Sequence, residues 1–363
     1  MIEKYINKIE KQPPYYVGDN VKRLHDQLTI VDLHADSLLW NRDLLIRKNY
    51  GHVDFQRLLD GNVAIQVFGV VTRFPFGINL RRLSLNMDLI TLLLISHHWP
   101  LRTWSSLFQR AIYQSKKLDD MISRSKGKIM LIKSVKDLDH FLALRKNQPG
   151  MIGSILALEG AHALNGELSN LTKLYDSSFR ILGISHFCDN DAGGSAHGRK
   201  KHGLSTFGYE LVKMLQELRM IIDLSHASSR VVDEVTEIVE SPIMVSHTGV
   251  LGTCNNQRNL TDSQIKRIAK MDGIIGITMV RAAVCGKQIE NIVSAIRYVS
   301  DLVGLDYVGI GSDFDGAITA PFDASGLPLL TKALLAHGFS QGEITQIMGG
   351  NALRVLRKAL PNG

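Results

Sequence analysis

Cysteine is scarce. Cys188, Cys254 and Cys285 are the only three in 363 residues, and no CxxC pair occurs. An odd count without paired spacing speaks against a disulfide framework and for a reducing compartment. Long apolar runs are missing too. No stretch of 18 apolar residues exists, which excludes a spanning helix. The N-terminal MIEKYINKIEKQPPYY has no secretory core, and the C-terminal LRKALPNG has no tail of the kind that precedes a lipid anchor. The expectation is a soluble, cytoplasmic protein with no membrane partner. No P-loop, no GxGxxG and no GxSxG occurs, which removes the usual phosphate cradles and the serine nucleophile elbow. The formal charge is +7, yet Lys and Arg are scattered without runs or aromatic interleaving. A nucleic-acid partner is therefore not expected. A positive cleft suits a substrate carboxylate instead.

What recurs is a short apolar run, a polar residue, then an amphipathic helix. The runs are 28–33, 63–71, 152–158, 179–184, 220–224, 243–245, 273–279 and 307–310. Most are rich in Ile, Val or Leu with little alternation, as strands buried on both faces of a parallel sheet read. Helical stripes lie between them. Phe207, Leu211, Met214, Leu215 and Leu218 form one, and Val231, Val232, Val235, Ile238 and Val239 another, with Ser228 or Ser229 as cap. Eight such units predict a (β/α)₈ TIM barrel, with a doubly wound open sheet as the alternative. Residues 74–149 are too long for one crossover and read as a helical insertion after strand 2. Residues 1–27 read as a helical N-terminal extension. The whole of 1–363 is then a single barrel domain.

Catalytic residues of a barrel sit at the strand C-termini. After the first run come His34 and Asp36, after the third Glu159, after the fourth His186. The fifth and sixth are followed by His226 and His247, the eighth by Asp313. The second and seventh offer no comparable ligand. Alone, each has a bland reading: a buried core histidine, or a carboxylate capping a helix. Six such coincidences at one end of a barrel favour one site. Imidazole with carboxylate suits Zn²⁺, Mn²⁺, Fe²⁺ or Co²⁺, with Zn²⁺ the first choice. Three histidines and two carboxylates exceed what one catalytic zinc needs. Two divalent ions sharing Glu159 fit better, and such a pair lowers the pKa of a shared water.

These pieces resemble the membrane (renal) dipeptidase family, within the metal-dependent amidohydrolase barrels. The matching segments are VDLHAD (31–36), LALEGAH (156–162), GISHFCDND (183–191), GLSTFG (203–208), IIDLSHAS (221–228), VSHTG (245–249), QRNLTD (257–262), GIGSDFDG (309–316) and GNALRVL (350–356). The resemblance implies His34 and Asp36 on one metal, His226 and His247 on the second, and Glu159 bridging. It implies that His186 contacts substrate and polarises the scissile carbonyl. Arg258 would hold the substrate's C-terminal carboxylate; without the resemblance it reads as a surface arginine capping the next helix. Asp313 would act as acid/base and hold the amino group. Where the family's substrate-binding tyrosine is expected, this chain has Ile277-Thr278-Met279-Val280-Arg281, with Arg281 as a candidate replacement. The cysteines do not look placed for the disulfides of the mammalian members.

The implied activity is hydrolysis of small dipeptides, L,D-dipeptides among them, by a hydroxide activated between two metals, in a protein expected to be a homodimer. Alternatives are a related amidohydrolase acting on N-acyl amino acids or cyclic amides, and a non-catalytic barrel used for binding. His162 is placed either behind the metals or in the packing. Asp189 or Asp191 would line the pocket, and loop 193–203, with His197, would either cover the site or lie in solvent.

Overall fold

The computed structural model describes residues 2–75 and 88–363; the first part of the insertion, 76–87, lies outside the described residues. Eight parallel strands close on themselves: β1 (Ile30–Ala35), β2 (Val63–Val71), β3 (Ile152–Glu159), β4 (Phe179–Gly183), β5 (Ile221–Asp223), β6 (Met244–Thr248), β7 (Ile274–Ile277) and β8 (Val308–Ile310). They pair in chain order, and β8 returns to β1. All eight are buried along their whole length. That is why they read as apolar runs rather than alternating ones. The expected TIM barrel is the observed fold.

Two apolar layers result. Val31, Leu33, Ile65, Ile155, Ile181 and Ile221, from successive strands, belong to one cluster inside the ring. Residues of opposite register, such as Ile30, Phe68, Leu156 and Leu182, pack with the surrounding helices. The helices begin where the sequence supplies caps. Ser205 Oγ accepts from Gly208 N ahead of Thr206–Glu217, and Ser228 Oγ from Val231 N ahead of Ser229–Ile238.

Two expectations change in detail. Beyond residue 87 the insertion holds helices Leu89–Ser96, Arg102–Ser105, Leu107–Arg124 and Val135–Asn147, but also a strand, Ile129–Leu131, paired with the start of β3. Three residues are too few for a period to show. The N-terminal segment is helical only at Glu3–Ile6 and Asp19–Gln27; between them Lys8–Ile9 pairs in parallel with Thr319–Ala320. Among the described residues no helix is long and apolar enough to cross a membrane.

The cysteine reading is overturned. Cys254 and Cys285 form a disulfide, with Cα atoms 5.3 Å apart, and Cys188 is free. The two lie 31 residues apart, in the loops after the adjacent strands β6 and β7. Topology brings them together, and no local spacing reveals it. The inference of a reducing compartment therefore loses its basis.

Candidate metal centre

The strand ends converge as the barrel requires. Glu159, ending β3, sits at the centre. Its Oε1 lies 3.7 Å from His34 Nε2, 3.1 Å from His226 Nε2 and 3.4 Å from His247 Nε2; its Oε2 lies 3.4 Å from His186 Nε2. Asp36 Oδ1 is 3.1 Å from His34 Nε2, and the Nε2 atoms of His226 and His247 are 2.9 Å apart. Three trios have ligand atoms within 4.8 Å of one another: His34, Asp36 and Glu159; Glu159, His186 and His226; His34, His247 and Asp313.

Local irregularities aim these side chains. The β1–β2 pairing slips by one residue between Asp32 and Ala35, around His34. The β6–β7 pairing slips between Val245 and Thr248, around His247. Such bulges redirect side chains beside active sites. His226 and Asp313 occupy left-handed backbone, at φ 61° and 60°. Residues without glycine's freedom hold such conformations at some cost, and they cluster at functional sites.

A second layer turns three of the four rings. Asp223 accepts from Ser246 Oγ, and that hydroxyl lies 2.9 Å from His247 Nδ1 and 3.4 Å from His34 Nδ1. With Nδ1 occupied below, Nε2 of both rings faces Glu159. His186 Nδ1 lies 3.2 Å from Arg73 O, which leaves its Nε2 for the centre. Asp32 accepts from Ser312 N at 2.8 Å and Ser312 Oγ at 2.7 Å, fixing the residue before Asp313. The sequence reading missed Asp223 and Ser246. An aspartate two or three residues before a site histidine, Asp32 before His34 and Asp223 before His226, was the signal available.

It also missed Gly69. β2 supplies no ligand, but a Cβ at Gly69 would stand 2.4 Å from Asp36 Oδ1 and 2.6 Å from His34 Nε2. The strand contributes space.

The electrostatics are unbalanced. Burial, with the Asp36 charge, pushes the Glu159 carboxyl well above its usual range and Asp313 up to about 7. Burial holds His186, His226 and His247 well below 6.5, so their lone pairs are free to ligate. Burial opposes the charge on His34, but Asp36 and Glu159 outweigh it and raise the ring to about 10. Glu159 Oε2 is buried and has no hydrogen-bond partner. Rich in acceptors and crowded with carboxylates, the set fits divalent cations.

Arg258 is partly buried, with Nη2 3.1 Å from His226 Nε2 and a buried Nη1 without a hydrogen-bond partner. It caps no helix; Thr261 does, in a capping box with Gln264. Arg281 lies elsewhere, half-exposed and paired with Glu10 at 3.0 Å, so it does not replace the missing tyrosine. Asp189 braces the loop instead of lining the pocket, accepting from Ser195 N and Lys200 N, and Asp191 is exposed. His162 packs under Gly160 within 3.0 Å of Thr72 Oγ1. His197 is buried, its ring 4.7 Å from Phe187 and 5.5 Å from His226, so its loop covers the site.

Comparison with known proteins decides the family. The profile of the Membrane dipeptidase (Peptidase family M19) family matches residues 18–361. The chain belongs to the membrane dipeptidase family. Dipeptidase aclJ of Aspergillus oryzae is 29% identical over 359 residues, covering 91% of this chain and 78% of that protein. Mouse Dipeptidase 3 is 28% identical over 224 residues, covering 58% of this chain but only 45% of the mouse protein. Among solved structures, a metallo peptidase of Rhodobacter sphaeroides, liganded with a phosphinate mimic of L-Ala-D-Ala, superposes with a TM-score of 0.77 at 23% identity, covering 92% and 99% of the two chains. The probable dipeptidase PvdM of Pseudomonas aeruginosa gives 0.76 at 20%, covering 95% and 98%. Family membership makes the chain a metallo-dipeptidase by class.

Proposed function

We propose that the protein hydrolyses small dipeptides at a centre that would hold two divalent cations, Zn²⁺ first among them, with Glu159 as the ligand common to both. His34 and Asp36 would hold one, His226 and His247 the other. When bound, such a pair supplies Lewis acidity and a water with a pKa of about 7 instead of 15.7. The side chains do the rest. Arg258 receives the substrate's terminal carboxylate in a bidentate pair, for which its buried Nη1 is free. His186, its Nδ1–H donating to Arg73 O, polarises the scissile carbonyl oxygen only as the imidazolium, with a second proton on Nε2. Asp313 takes the proton of the attacking water and returns it to the leaving amine.

One observation carries this reading: four histidines direct Nε2 at the two oxygens of a single buried carboxylate, none farther than 3.7 Å. The relative with the L-Ala-D-Ala mimic makes L,D-dipeptides a sensible part of the substrate range. The test combines metal analysis of purified protein with turnover of a mixed L,L and L,D dipeptide library. The expected result is two metals per chain and metal-dependent release of free amino acids. Metal-loaded protein that leaves every dipeptide intact would reject it.

A further inference from the structure

The cavity above the metal centre is larger than a dipeptide needs. Its volume is about 1540 Å³, against roughly 300–1,000 Å³ for most small-molecule sites. Its walls differ. Beside Arg258, after β6, stand Asn255, Asn256 and Gln257. Opposite stand Leu39 and Trp40 after β1, Val71 ending β2, and Phe74 beyond it. β2 and β6 are four strands apart in a ring of eight, so the polar and apolar walls face each other across the metal centre.

Helix Leu89–Ser96, LITLLLIS, extends the apolar wall. It is apolar on every face, a pattern that belongs in an interior. Ile90 and Leu94 are buried in a cluster with Leu39, Trp40, Val71 and Trp99. Leu89, Leu92 and Leu93 line the cavity together with Ile90, and Leu92 is 56% exposed. Ile2 and Ile6 complete the wall from the first helix. That helix is anchored by the buried Glu3–Arg42 ion pair, 2.6 Å, and Arg42 also pairs with Asp315 two residues from Asp313. Two segments outside the barrel frame are thus held in place to present aliphatic side chains to the site.

We propose that this wall is the subsite for the substrate's N-terminal side chain, and that the preferred substrates are dipeptides whose first residue carries a long apolar group. The inference rests on the dipeptidase reading above. With the carboxylate at Arg258 and the scissile bond over Glu159, the first side chain points to the β1–β2 side. The free ammonium then falls among Asp36 and Asp313, which favours an amino acid over a simple acyl chain there.

The test is a linear series of X-Ala dipeptides on the metal-loaded protein, with X running from alanine through norvaline and norleucine to 2-aminooctanoate and 2-aminodecanoate. kcat/KM should rise about three- to fourfold per added methylene until the wall is filled, the ratio expected for burying one CH₂. Leu92→Gln and Leu93→Gln should flatten that slope and leave Ala-Ala turnover within about twofold. A flat or falling series with Ala-Ala still cleaved, or an unchanged slope in both variants, overturns the subsite and leaves the dipeptidase standing. Faster cleavage of N-decanoyl-alanine than of 2-aminodecanoyl-alanine also overturns it. Failure to cleave any dipeptide overturns the dipeptidase reading together with the subsite.

Discussion

The two ends of this barrel treat buried polar groups in opposite ways. At the lower end, where strands begin, His25, Asn62 and Asn351 have their partners. His25 has Nδ1 2.8 Å from Thr331 Oγ1 and Nε2 3.0 Å from Gly61 O. Asn62 donates to His25 O and Leu28 O, and Asn351 donates to Leu305 O and Val308 O. At the upper end, Glu159 Oε2, His226 Nδ1 and Arg258 Nη1, all beside the metal centre, are buried without hydrogen-bond partners. Satisfied polar groups specify a fold; unsatisfied ones store a demand that a ligand meets. The same chain therefore spends stability at one face and recovers it at the other.

That contrast can be broken by experiment. Asp313→Asn should lower kcat about 10²–10⁴-fold with metal content unchanged, the usual scale for a lost general acid/base. The same substitution should raise the Tm of metal-free protein at pH 8. The Asp313 carboxyl titrates near 7 when folded, above its ordinary 3.8, so the stability it contributes at low pH is lost as pH rises through 7. Unchanged kcat, or a lower metal-free Tm, would put Asp313 with the lower-end residues.

At the opposite face, burial lowers His25 from 6.5 to about 4. Its neutral ring favours the fold above pH 6.5, and that contribution fades as pH falls toward 4. It amounts to roughly 3 kcal/mol. Urea unfolding at pH 7 and pH 4.5 should therefore show a larger acid loss in the wild type than in His25→Gln, and equal losses would contradict the assignment.

Gly69→Ala returns to the upper face. Its new Cβ collides with Asp36 and His34, so metal affinity should drop by about 100-fold, at the upper end of losses seen when ligand orientation is disturbed. Titration with Zn²⁺ or Co²⁺ reads this directly. The smallest expected effect is at the lower face, where Asn351→Ala leaves two carbonyls short of a donor. The variant should lose about 1–3 kcal/mol of stability and keep its kcat. A fall in kcat there would erase the division between the ends.

What the sequence made legible follows the same division. Strands buried on both sides write themselves as apolar runs, so all eight were readable, and the residues at their upper ends came with them. Features that depend on distance were not. The bulges at His34 and His247 shift pairing by one residue between strands and leave each strand's own pattern intact. The Cys254–Cys285 bond joins neighbouring loops 31 residues apart. Ile129–Leu131 is too short to show a period. Arg281 looked available for a carboxylate because its partner, Glu10, is 271 residues away. Gly69 was invisible because a search for ligands counts what residues offer.

The left-handed backbone at Asp313 has a practical corollary for anyone replacing that residue. Asparagine visits that region more readily than other non-glycine types. An alanine there would change the peptide's comfort as well as remove the carboxylate, mixing two effects in one rate. The amide keeps the loop's geometry and subtracts only the proton carrier. At His226, which shares the same twist, asparagine gives the cleanest loss of imidazole for the same reason.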